Sequence, residues 1–504
     1  MVHSLYQSLN NLETIYADRI GIRYYDEAKG GVVEVPFRQY AADLRRFVAF
    51  LRSRTPNPLG QRVAILARNS YHYVMCMYGA VLAGAVAVPL NTGKNWDEIR
   101  YELDLVEPVC VLHDGEYLSR EPALGQVYGD RLVPMDAFTA FEPAMDITEV
   151  PDLSALAFIM FTSGTTGRSK GVMLSQKNLF AAMPAFLTPF EDVRSQTGWN
   201  TDAFSSLSCL PMFHISAMTS LVSWSVTGHC VNLCNDLKYF YRDLGAMRSD
   251  VMAVVPVLLK SIYHDVMKGK RERLNGLRVL TCGAAMFDPA VLQDLMERGF
   301  FIAQMYGLTE TCGDGAWNSS QEEKYLTSVG HVDDSCQYKL EDGELCMRGD
   351  PVMLGYYKDP EATAEVLDAE GWFHTGDIAR VEPDGYMYMT GRKKERDHPG
   401  QRRECEPRGA GKAAGSLRCH PGVQGLRAEP AHLRRGLLRP GPAGRCAGLC
   451  YQGEPHPAPV QAHGGGVLGP APAPQRCRQA AAVLNLSGKS RSHGGKSSHK
   501  ALWS

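Results

Sequence analysis

LAFIMFTSGTTGRSKGVMLS, residues 156–175, is the stretch of this sequence that decides its fold. Six apolar residues lead into a loop rich in Gly, Ser and Thr, and the apolar pattern resumes after Lys170. A strand that leads into such a loop presents backbone N–H groups and hydroxyls to an anion, and the lysine adds a cation. The stretch therefore predicts a strand that ends in a phosphate-binding loop.

Two other interpretations of this loop need weighing. It is not the Walker A pattern, because no Gly-Lys-Ser/Thr follows a first glycine at the required spacing and no clear helix opens after Lys170. A polar hairpin turn is the plainer alternative, because Gly, Ser and Thr are common turn residues. The loop alone leaves that alternative open, and its neighbours along the chain favour the phosphate-binding function.

Five further motifs follow the loop. They are PMFH at 211–214, CGAA at 282–285, YGLTE at 306–310, GWFHTGD at 371–377 and GRKK at 391–394. In this order the motifs resemble those of the adenylate-forming superfamily, which includes acyl-CoA synthetases, the adenylation domains of peptide synthetases and beetle luciferases. The resemblance runs from the start of the chain to about Lys394. One departure is Ser169, where the family usually has proline, and this change removes no donor from the loop.

The resemblance implies a site for ATP and Mg²⁺. The β- and γ-phosphates would be held by Thr162, Ser163, Gly164, Thr165, Thr166, Gly167 and Lys170. Glu310 and Thr165 would bind Mg²⁺, and Thr309 would donate a hydrogen bond to the α-phosphate. Carboxylate and hydroxyl oxygens suit this hard cation. Glu310 could instead be an ordinary surface carboxylate at a turn. Its position directly after YGLT favours the role of Mg²⁺ ligand.

The resemblance also implies how the nucleoside would be recognised. Small and aromatic residues would form the adenine slot, namely Gly283, Ala284, Ala285, Tyr306 and Gly307. Asp377 would accept hydrogen bonds from both ribose hydroxyls, and Arg392 would be the second ribose contact. Asp377 could instead be an ordinary turn residue after Gly376. The position of Asp377 in the motif FHTGD favours the ribose-binding role.

His214 matches the family position beside the acyl pocket. A lone histidine is usually a packed or solvated side chain, but the preceding Pro-Met-Phe favours a functional position, without assigning proton transfer to it. The acyl tunnel is predicted from residues 213–221 and from the stretch after Glu310 that includes Cys312 and Gly313. The candidate catalytic residues are therefore Lys170, Thr309, Glu310 and His214.

The implied reaction is ATP-dependent activation of a carboxylic acid. The carboxylate attacks the α-phosphorus of ATP to give acyl-AMP and pyrophosphate, and the intact parent enzyme then transfers the acyl group to CoA. The predicted function is an acid–thiol ligase for a fatty or aryl acid, using ATP, Mg²⁺ and CoA. Two alternatives stay open: a nonenzymatic or inactive remnant that binds nucleotide or acyl groups, and a peptide-synthetase adenylation domain, which is less favoured.

Composition narrows the remaining choices. With 504 residues and 44% hydrophobic residues, the chain can form more than one domain with sizeable cores. The net charge of −2 gives no support for a nucleic-acid partner. The 14 cysteines are scattered and form no C-x-x-C pair, which suits a reduced cytosol. The sequence shows no signal peptide and no run of about 18 apolar residues, so a cytoplasmic protein is predicted, with peripheral membrane contact and oligomeric state left open.

The first 394 residues alternate helical and strand patterns. Helical spacing of apolar residues marks 37–51 and 70–83, and short apolar strands are predicted at 63–66, 86–90 and 109–112. The later units are a strand at 251–255, a helix to Met267, a strand at 278–281, a helix at 289–297, a strand at 301–305 and glycine-punctuated strands over about 330–390. The predicted fold class is α/β: a large N-terminal domain, 1–394, of parallel-rich sheets flanked by helices plus a β-rich subdomain.

Residues 395–504 form a basic tail rich in Gly, Pro and Arg, which contains no Ile or Phe. Such a composition cannot offset chain entropy by apolar burial, so disorder is predicted. A frameshift near Glu395 is favoured over an evolved basic tail for anionic partners. When one base is removed from a suitable back-translation, the next frame reads ELIILANGENVSPE, which resembles the opening of the family's small C-terminal domain.

Lys394 falls at the family's hinge position. In relatives the small domain rotates about this point between adenylation and thioester formation. That domain also carries a lysine that bridges the α-phosphate and the substrate carboxylate, and no position in 395–504 matches its motif. The small domain is therefore expected to be missing, with nucleotide and acid binding retained, adenylation severely weakened and CoA transfer largely lost.

Overall fold

The computed structural model describes residues 2–162, 168–200 and 204–393. The predictions for Ser163, Gly164, Thr165, Thr166 and Gly167, for the hinge at Lys394 and for the tail 395–504 lie outside the described residues. No helix in the described part of the chain has the length and apolar character needed to cross a bilayer.

The described residues contain twenty strands and twelve α-helices. The strands are β1 (Ile20–Asp26), β2 (Gly31–Pro36), β3 (Arg62–Leu66), β4 (Val86–Pro89), β5 (Cys110–His113), β6 (Leu132–Pro134), β7 (Leu156–Thr162), β8 (Lys170–Ser175), β9 (Ser205–Ser208), β10 (Cys230–Leu233), β11 (Val251–Val254), β12 (Val279–Cys282), β13 (Phe301–Gly307), β14 (Gly315–Asn318), β15 (His331–Val332), β16 (Cys336–Glu341), β17 (Glu344–Gly349), β18 (Gly355–Tyr356), β19 (Phe373–Val381) and β20 (Met387–Arg392). The helices are α1 (Leu5–Thr14), α2 (Phe37–Arg54), α3 (Tyr71–Leu82), α4 (Trp96–Val106), α5 (Glu116–Arg120), α6 (Ala123–Tyr128), α7 (Gln176–Thr197), α8 (Ile215–Val226), α9 (Phe240–Ala246), α10 (Pro256–Met267), α11 (Pro289–Glu297) and α12 (Pro360–Ala364).

Two large mixed sheets carry most of these strands. The seven-stranded sheet has the order β18-β8-β7-β4-β3-β5-β6, and it is parallel from β7 to β6. The nine-stranded sheet has the order β15-β14-β13-β12-β11-β9-β10-β1-β2, and it is parallel from β13 to β1. A third sheet, β16-β17-β19-β20, is antiparallel.

This architecture confirms the predicted α/β class and the β-rich segment near residue 330. The correct strand predictions rest on short apolar runs, because central strands of parallel sheets are covered by helices on both faces. In β3, for example, Val63 and Ile65 are fully buried. The helix predicted at 70–83 begins one residue later, because Ser70 is its N-cap and its side chain accepts a hydrogen bond from the backbone N–H of Tyr73.

The sequence pattern does not predict α7, the longest helix in the described residues. Pro184 and Pro189 lie inside this helix, where proline usually removes a backbone hydrogen bond and breaks the helix. A capping box between Ser175 and Asn178 fixes its start, and Phe180 is buried within its first turns. Capping and tertiary packing therefore outweigh the local preference against a helix.

Helices α2 and α3 approach closely because α3 has a glycine at their contact. A Cβ atom at Gly79 would lie 2.6 Å from Cδ1 and 2.8 Å from Cβ of Phe47. Phe47 is itself fully buried, and its ring centroid lies 5.5 Å from that of Phe50 and 5.9 Å from that of Phe138. Phe47 therefore has little room to move away from a larger neighbour.

We expect Gly79→Ala to destabilise the protein by about 1–3 kcal/mol, because the added methyl group overpacks the α2–α3 contact. Gly245→Ala is the matched control, since Gly245 also lies in a helix but has open space around its Cβ position. That control should be neutral or stabilising by up to about 1 kcal/mol, as alanine is the better helix former. Equal free energies of unfolding for the two variants, measured by chemical denaturation, would contradict this packing.

Candidate active site

The predicted phosphate loop connects two antiparallel strands. Thr162 at the end of β7 lies opposite Lys170 at the start of β8. β7 and β8 thus pair as neighbouring antiparallel strands. Residues 163–167, which connect them, lie outside the described residues, and their donors remain candidates for phosphate binding. The Lys170 ammonium lies 4.9 Å from the centroid of the Tyr356 ring. A cation at this distance over an aromatic face is attracted to it.

Tyr356 also connects this lysine to Glu310. The Tyr356 hydroxyl donates a hydrogen bond of 2.8 Å to Oε1 of Glu310, and the Met353 amide donates to the Glu310 carbonyl. No hydrogen bond to the second carboxylate oxygen, Oε2, is made by the described residues. An oxygen available in this way fits Mg²⁺, which prefers carboxylate ligands together with phosphate oxygens. The sequence interpretation overlooked Tyr356, and its only sequence signal is the pair Tyr356-Tyr357 after a glycine.

A second group of predicted residues meets at the end of β13. The Tyr306 hydroxyl donates a hydrogen bond of 2.8 Å to Oδ2 of Asp377, and Nε of Arg392 lies 2.7 Å from Oδ1. Asp377 and Arg392 are cross-strand partners in β19 and β20. Burial raises the pKa of Asp377 above its usual range, although Arg392 and the Tyr306 hydroxyl act in the opposite direction.

The backbone that connects Tyr306 to Glu310 is tightly constrained. A Cβ atom at Gly307 would lie 2.2 Å from the carbonyl oxygen of Gly313, so position 307 accepts only glycine without movement. Thr309 and Glu310 follow in a 3₁₀ turn, Thr309–Thr311. The turn is therefore held close to Tyr306, and through Thr309 it connects Glu310 of the first group to Tyr306 of the second.

The predicted adenine slot lies beside Tyr306. Gly283, Ala284 and Ala285 follow β12, which is parallel to β13, and a Cβ atom at Gly283 would lie 3.4 Å from the carbonyl oxygen of Met305. Ala284 has a positive φ of 66°, which is unusual for a residue with a side chain. Ligands of α/β sheets commonly bind at the carboxyl ends of parallel strands, which is where these residues lie.

His214 is the N-terminal cap residue of α8, and its ring centroid lies 4.5 Å from that of Phe213. Desolvation and the nearby charge of Lys94 lower the pKa of His214. Both effects favour the neutral imidazole, which suits a residue beside the predicted acid-binding pocket.

A solvent-open cavity lies between α7, α8 and one face of the nine-stranded sheet, with ≈ 580 Å³ of empty space when the solvent at its mouth is included. Of the predicted tunnel residues 213–221, the ones that line it are Ala217, Ser220 and Leu221. Phe213 and Cys312 are not among the lining residues, and Cys312 is fully buried. A Cβ atom at Gly313 would lie 3.2 Å from the Phe186 ring, which does line the cavity.

Lys94 is a cation near the loop that the sequence interpretation missed. Its ammonium donates a hydrogen bond of 2.9 Å to Oγ of Ser169 and forms an ion pair with the fully buried carboxylate of Glu102. Burial raises the pKa of Glu102, and Lys94 acts in the opposite direction. Ser169, which replaces the proline usual in the family, therefore joins the end of the loop to a buried ion pair. Lys94 and Glu102 carry no motif, so only the tertiary structure reveals this contact.

Glu344 is a second buried carboxylate beside the site. Its Oε1 accepts a hydrogen bond of 2.9 Å from the Gly376 amide, and its Oε2 lies 2.6 Å from the Lys393 ammonium. Burial acts to raise the pKa of Glu344, but these two partners outweigh it, and the pKa falls below its usual range. Glu344 thus fixes the turn before Asp377 and the residue just before the predicted hinge.

The model of the AMP-binding enzyme family matches residues 17–357, more than half of this chain. The chain belongs to the AMP-binding enzyme family. The matched range contains Lys170, Tyr306 and Glu310, and Asp377 and Arg392 follow it.

Similar proteins with curated functions are CoA ligases. 2-Succinylbenzoate–CoA ligase of Bacillus cytotoxicus is 27% identical over 355 residues, which are 67% of this chain and 69% of that protein. 4-Coumarate–CoA ligase-like 9 of Arabidopsis thaliana is 28% identical over 378 residues, which are 70% of this chain and 66% of that protein. Both matches agree with membership of the AMP-binding family.

Solved structures show the same fold. The N-terminal domain of FACL13 from Mycobacterium tuberculosis has a TM-score of 0.66 at 23% identity, covering 77% of this chain and 99% of that chain. The o-succinylbenzoate CoA synthetase (MenE) of Bacillus subtilis, in complex with the acyl-adenylate intermediate OSB-AMP, has a TM-score of 0.65 at 24% identity, covering 77% of this chain and 78% of that chain. These similarities confirm the predicted large-domain architecture.

We expect Lys94→Met to destabilise the protein by about 3–5 kcal/mol, because it leaves the buried Glu102 carboxylate without a counter-charge. The double variant Lys94→Met/Glu102→Leu should recover most of this loss. Lys358→Met is the matched control, since its pair with Glu107 is exposed and should contribute at most about 1 kcal/mol. If chemical denaturation gives Lys94→Met and Lys358→Met the same free energy of unfolding, the buried pair is not as described.

We expect Asp377→Asn to weaken AMP binding at least about tenfold, because hydrogen bonds to a charged group are worth more than those to a neutral amide. Asp384→Asn is the control: Asp384 also accepts a tyrosine hydroxyl, from Tyr325, but it lies at the surface away from the predicted ribose position. Isothermal titration calorimetry with AMP measures both variants. Unchanged affinity in Asp377→Asn would remove this residue from the nucleotide site.

Proposed function

We propose that this chain binds ATP and a carboxylic acid and forms the acyl adenylate, with CoA as the acyl acceptor in the intact enzyme. The observation that carries the proposal is a continuous series of contacts between the predicted site residues. Lys170 contacts Tyr356, Tyr356 donates to Glu310, and β13 joins the turn of Glu310 to Tyr306, which donates to Asp377. A single bound nucleotide would contact both the Lys170–Glu310 group and the Tyr306–Asp377 group.

The chemistry follows from what each side chain offers. Lys170 can neutralise phosphate oxygens, because its neighbour among the described residues is an aromatic ring and it forms no ion pair with a carboxylate there. Asp377 can hold the ribose hydroxyls and so orient the α-phosphorus for attack by the acid's carboxylate, with pyrophosphate leaving. Bound Mg²⁺, which Glu310 and Thr165 would hold, supplies neutralisation of the phosphate charge. Rate enhancement then comes from positioning and electrostatics.

The cavity beside the site supports a fatty or aryl acid. Its wall reaches the predicted nucleotide residues, because the lining residue Met305 directly precedes Tyr306 and the lining residue Thr281 lies two residues before Gly283. The acids named for the two relatives, 2-succinylbenzoate and 4-coumarate, both contain an aromatic ring. Family membership and this cavity favour acid–thiol ligation over the other known activities of adenylate-forming enzymes.

A nucleotide- and acyl-binding remnant with little turnover is the second candidate. The supporting observation is that no position in residues 395–504 matches the motif of the family's bridging lysine. Without that cation the developing charge on the α-phosphate loses one stabilising partner, while the residues that bind ATP remain. We propose impaired adenylation and a larger loss of CoA transfer, with the domain boundary near residue 394.

ATP–pyrophosphate exchange and thioester formation on the purified full chain, with a panel of fatty and aryl acids, test both candidates. We expect saturable ATP binding, and exchange slower by about 100-fold or more than in a complete acyl-CoA synthetase, as for loss of one transition-state partner. Glu310→Gln should lower the residual exchange further, whereas the exposed Glu323→Gln should not. Absence of ATP binding would contradict the proposed function, and turnover equal to that of a complete relative would contradict the impairment.

A further inference from the structure

We infer that the acid taken by this site is an aryl monocarboxylic acid whose far end carries a neutral hydrogen-bonding group, and that acids with a second carboxylate are excluded. The inference rests on the proposed function, because it assigns the cavity beside the nucleotide residues to the acid. It is carried by three properties of the cavity wall in the described part of the chain: aromatic side chains, no charged lining residue, and two serine hydroxyls that make no hydrogen bond with the described residues.

The aromatic side chains form one wall of the cavity. The Phe190 ring centroid lies 4.5 Å from that of Trp224, with the two rings nearly perpendicular at 72°. Phe186 lies on the same helix one turn away, toward Gly313 and the nucleotide edge. A flat aromatic ring gains edge-to-face and stacking contacts between such side chains, which a flexible alkyl chain does not gain. The wall therefore favours an aryl acid.

The lining residues in the described part of the chain include no Lys, Arg, His, Asp or Glu. The two undescribed segments before residue 394, 163–167 and 201–203, contain no Lys or Arg in their sequence. A carboxylate pushed into this cavity would lose its water shell without meeting a counter-charge, which is strongly unfavourable.

Arg278 is the cation to consider at the inner end; its guanidinium has an ion pair and two ring contacts, although its buried Nε has no hydrogen-bond partner among the described residues. It is not a lining residue; its Nη2 lies 2.9 Å from Oδ1 of Asp250, and its guanidinium stacks over the rings of Trp199 and Phe204, at 4.9 and 5.3 Å from their centroids. The Phe204 ring in turn lies 6.0 Å from that of Phe190. Arg278 is therefore held behind the aromatic wall by its own carboxylate and two rings.

Four serines supply the polar part of the lining, and they fall into two kinds. Ser220 and Ser223 on α8 donate to backbone carbonyls of their own helix, at 2.6 and 2.9 Å. Ser206 and Ser208 on β9 make no side-chain hydrogen bond with the described residues. Ser206 pairs in register with Val231 and Val251, both of which line the cavity, so its hydroxyl faces the same space.

The hydroxyls of Ser206 and Ser208 are accessible from the cavity, so a ligand or water there can act as their hydrogen-bond partner. Ser206 lies at the start of β9, two residues deeper than Ser208, which is nearer the carboxyl end of the strand and the nucleotide edge. An acid whose carboxylate is at that edge would thus present its far end to Ser206. A phenol or another neutral group at that end satisfies the hydroxyl without introducing a charge.

Five nucleotide probes test the inference on the full chain by binding alone, so that impaired turnover does not obscure the result. They are sulfamoyl adenosine without an acyl group and its cinnamoyl, para-hydroxycinnamoyl, para-carboxycinnamoyl and dodecanoyl derivatives. Isothermal titration calorimetry should show that the first two acyl derivatives bind at least about tenfold more tightly than the parent probe. The para-carboxy derivative should bind at least about 100-fold more weakly than the para-hydroxy derivative.

Two variants locate the effect within the cavity. Ser206→Ala should reduce the preference for para-hydroxycinnamoyl over cinnamoyl by about three- to tenfold, since a neutral hydrogen bond is lost. Ser225→Ala is the matched control and should leave the ratio unchanged, because its hydroxyl donates to the Leu221 carbonyl within α8 and it does not line the cavity. Equal binding of the para-carboxy derivative would overturn the inference, as would tighter binding of a dodecanoyl derivative than of both aryl ones. If the parent probe binds and no acyl group adds affinity, the cavity assignment fails while the nucleotide site stands; if the parent probe does not bind, the proposed function fails as well.

Discussion

The rest of the site depends on the contacts made by the buried carboxylate of Asp377. It accepts the Tyr306 hydroxyl at 2.8 Å and faces Arg392 at 2.7 Å, and so connects the nine-stranded sheet to the four-stranded sheet. Tyr306 also packs against the core of the smaller sheet. Because a buried carboxylate is costly unless it is paired and hydrogen-bonded, these contacts fix the relative position of the two sheets. The ribose and phosphate candidates depend on that position.

Charge pairing elsewhere in the site follows the same constraint. Glu102 is matched by Lys94, and Glu344 is matched by Lys393, so the buried acids beside the loop and beside Asp377 each have a cation. Lys170 differs, because its neighbour is the Tyr356 ring and the described residues give it no carboxylate partner. The ammonium of Lys170 is therefore not paired with an acid of the described residues, which agrees with the polyphosphate site that we propose.

Much of the fold and of the site could be predicted from the sequence, for a physical reason. Runs such as residues 63–66 and motifs such as YGLTE report local constraints: burial on two faces, or a turn that tolerates only glycine at position 307. Tyr356, Lys94 and Glu344 could not be found in this way, because their roles come from partners at a distance in sequence. Helix α7 was not predicted, because tertiary packing outweighs the helix-breaking tendency of Pro184 and Pro189 inside it.

A crystal structure of the chain with Mg²⁺ and a non-hydrolysable ATP analogue tests the central claim most directly. The claim is that Lys170, Glu310 and Asp377 serve one nucleotide. The predicted result is a single analogue with its ribose hydroxyls on the Asp377 carboxylate, its triphosphate at Lys170 and a cation on Glu310. An analogue bound elsewhere, or one that reaches Lys170 while Asp377 keeps only Tyr306 and Arg392 as partners, would contradict it.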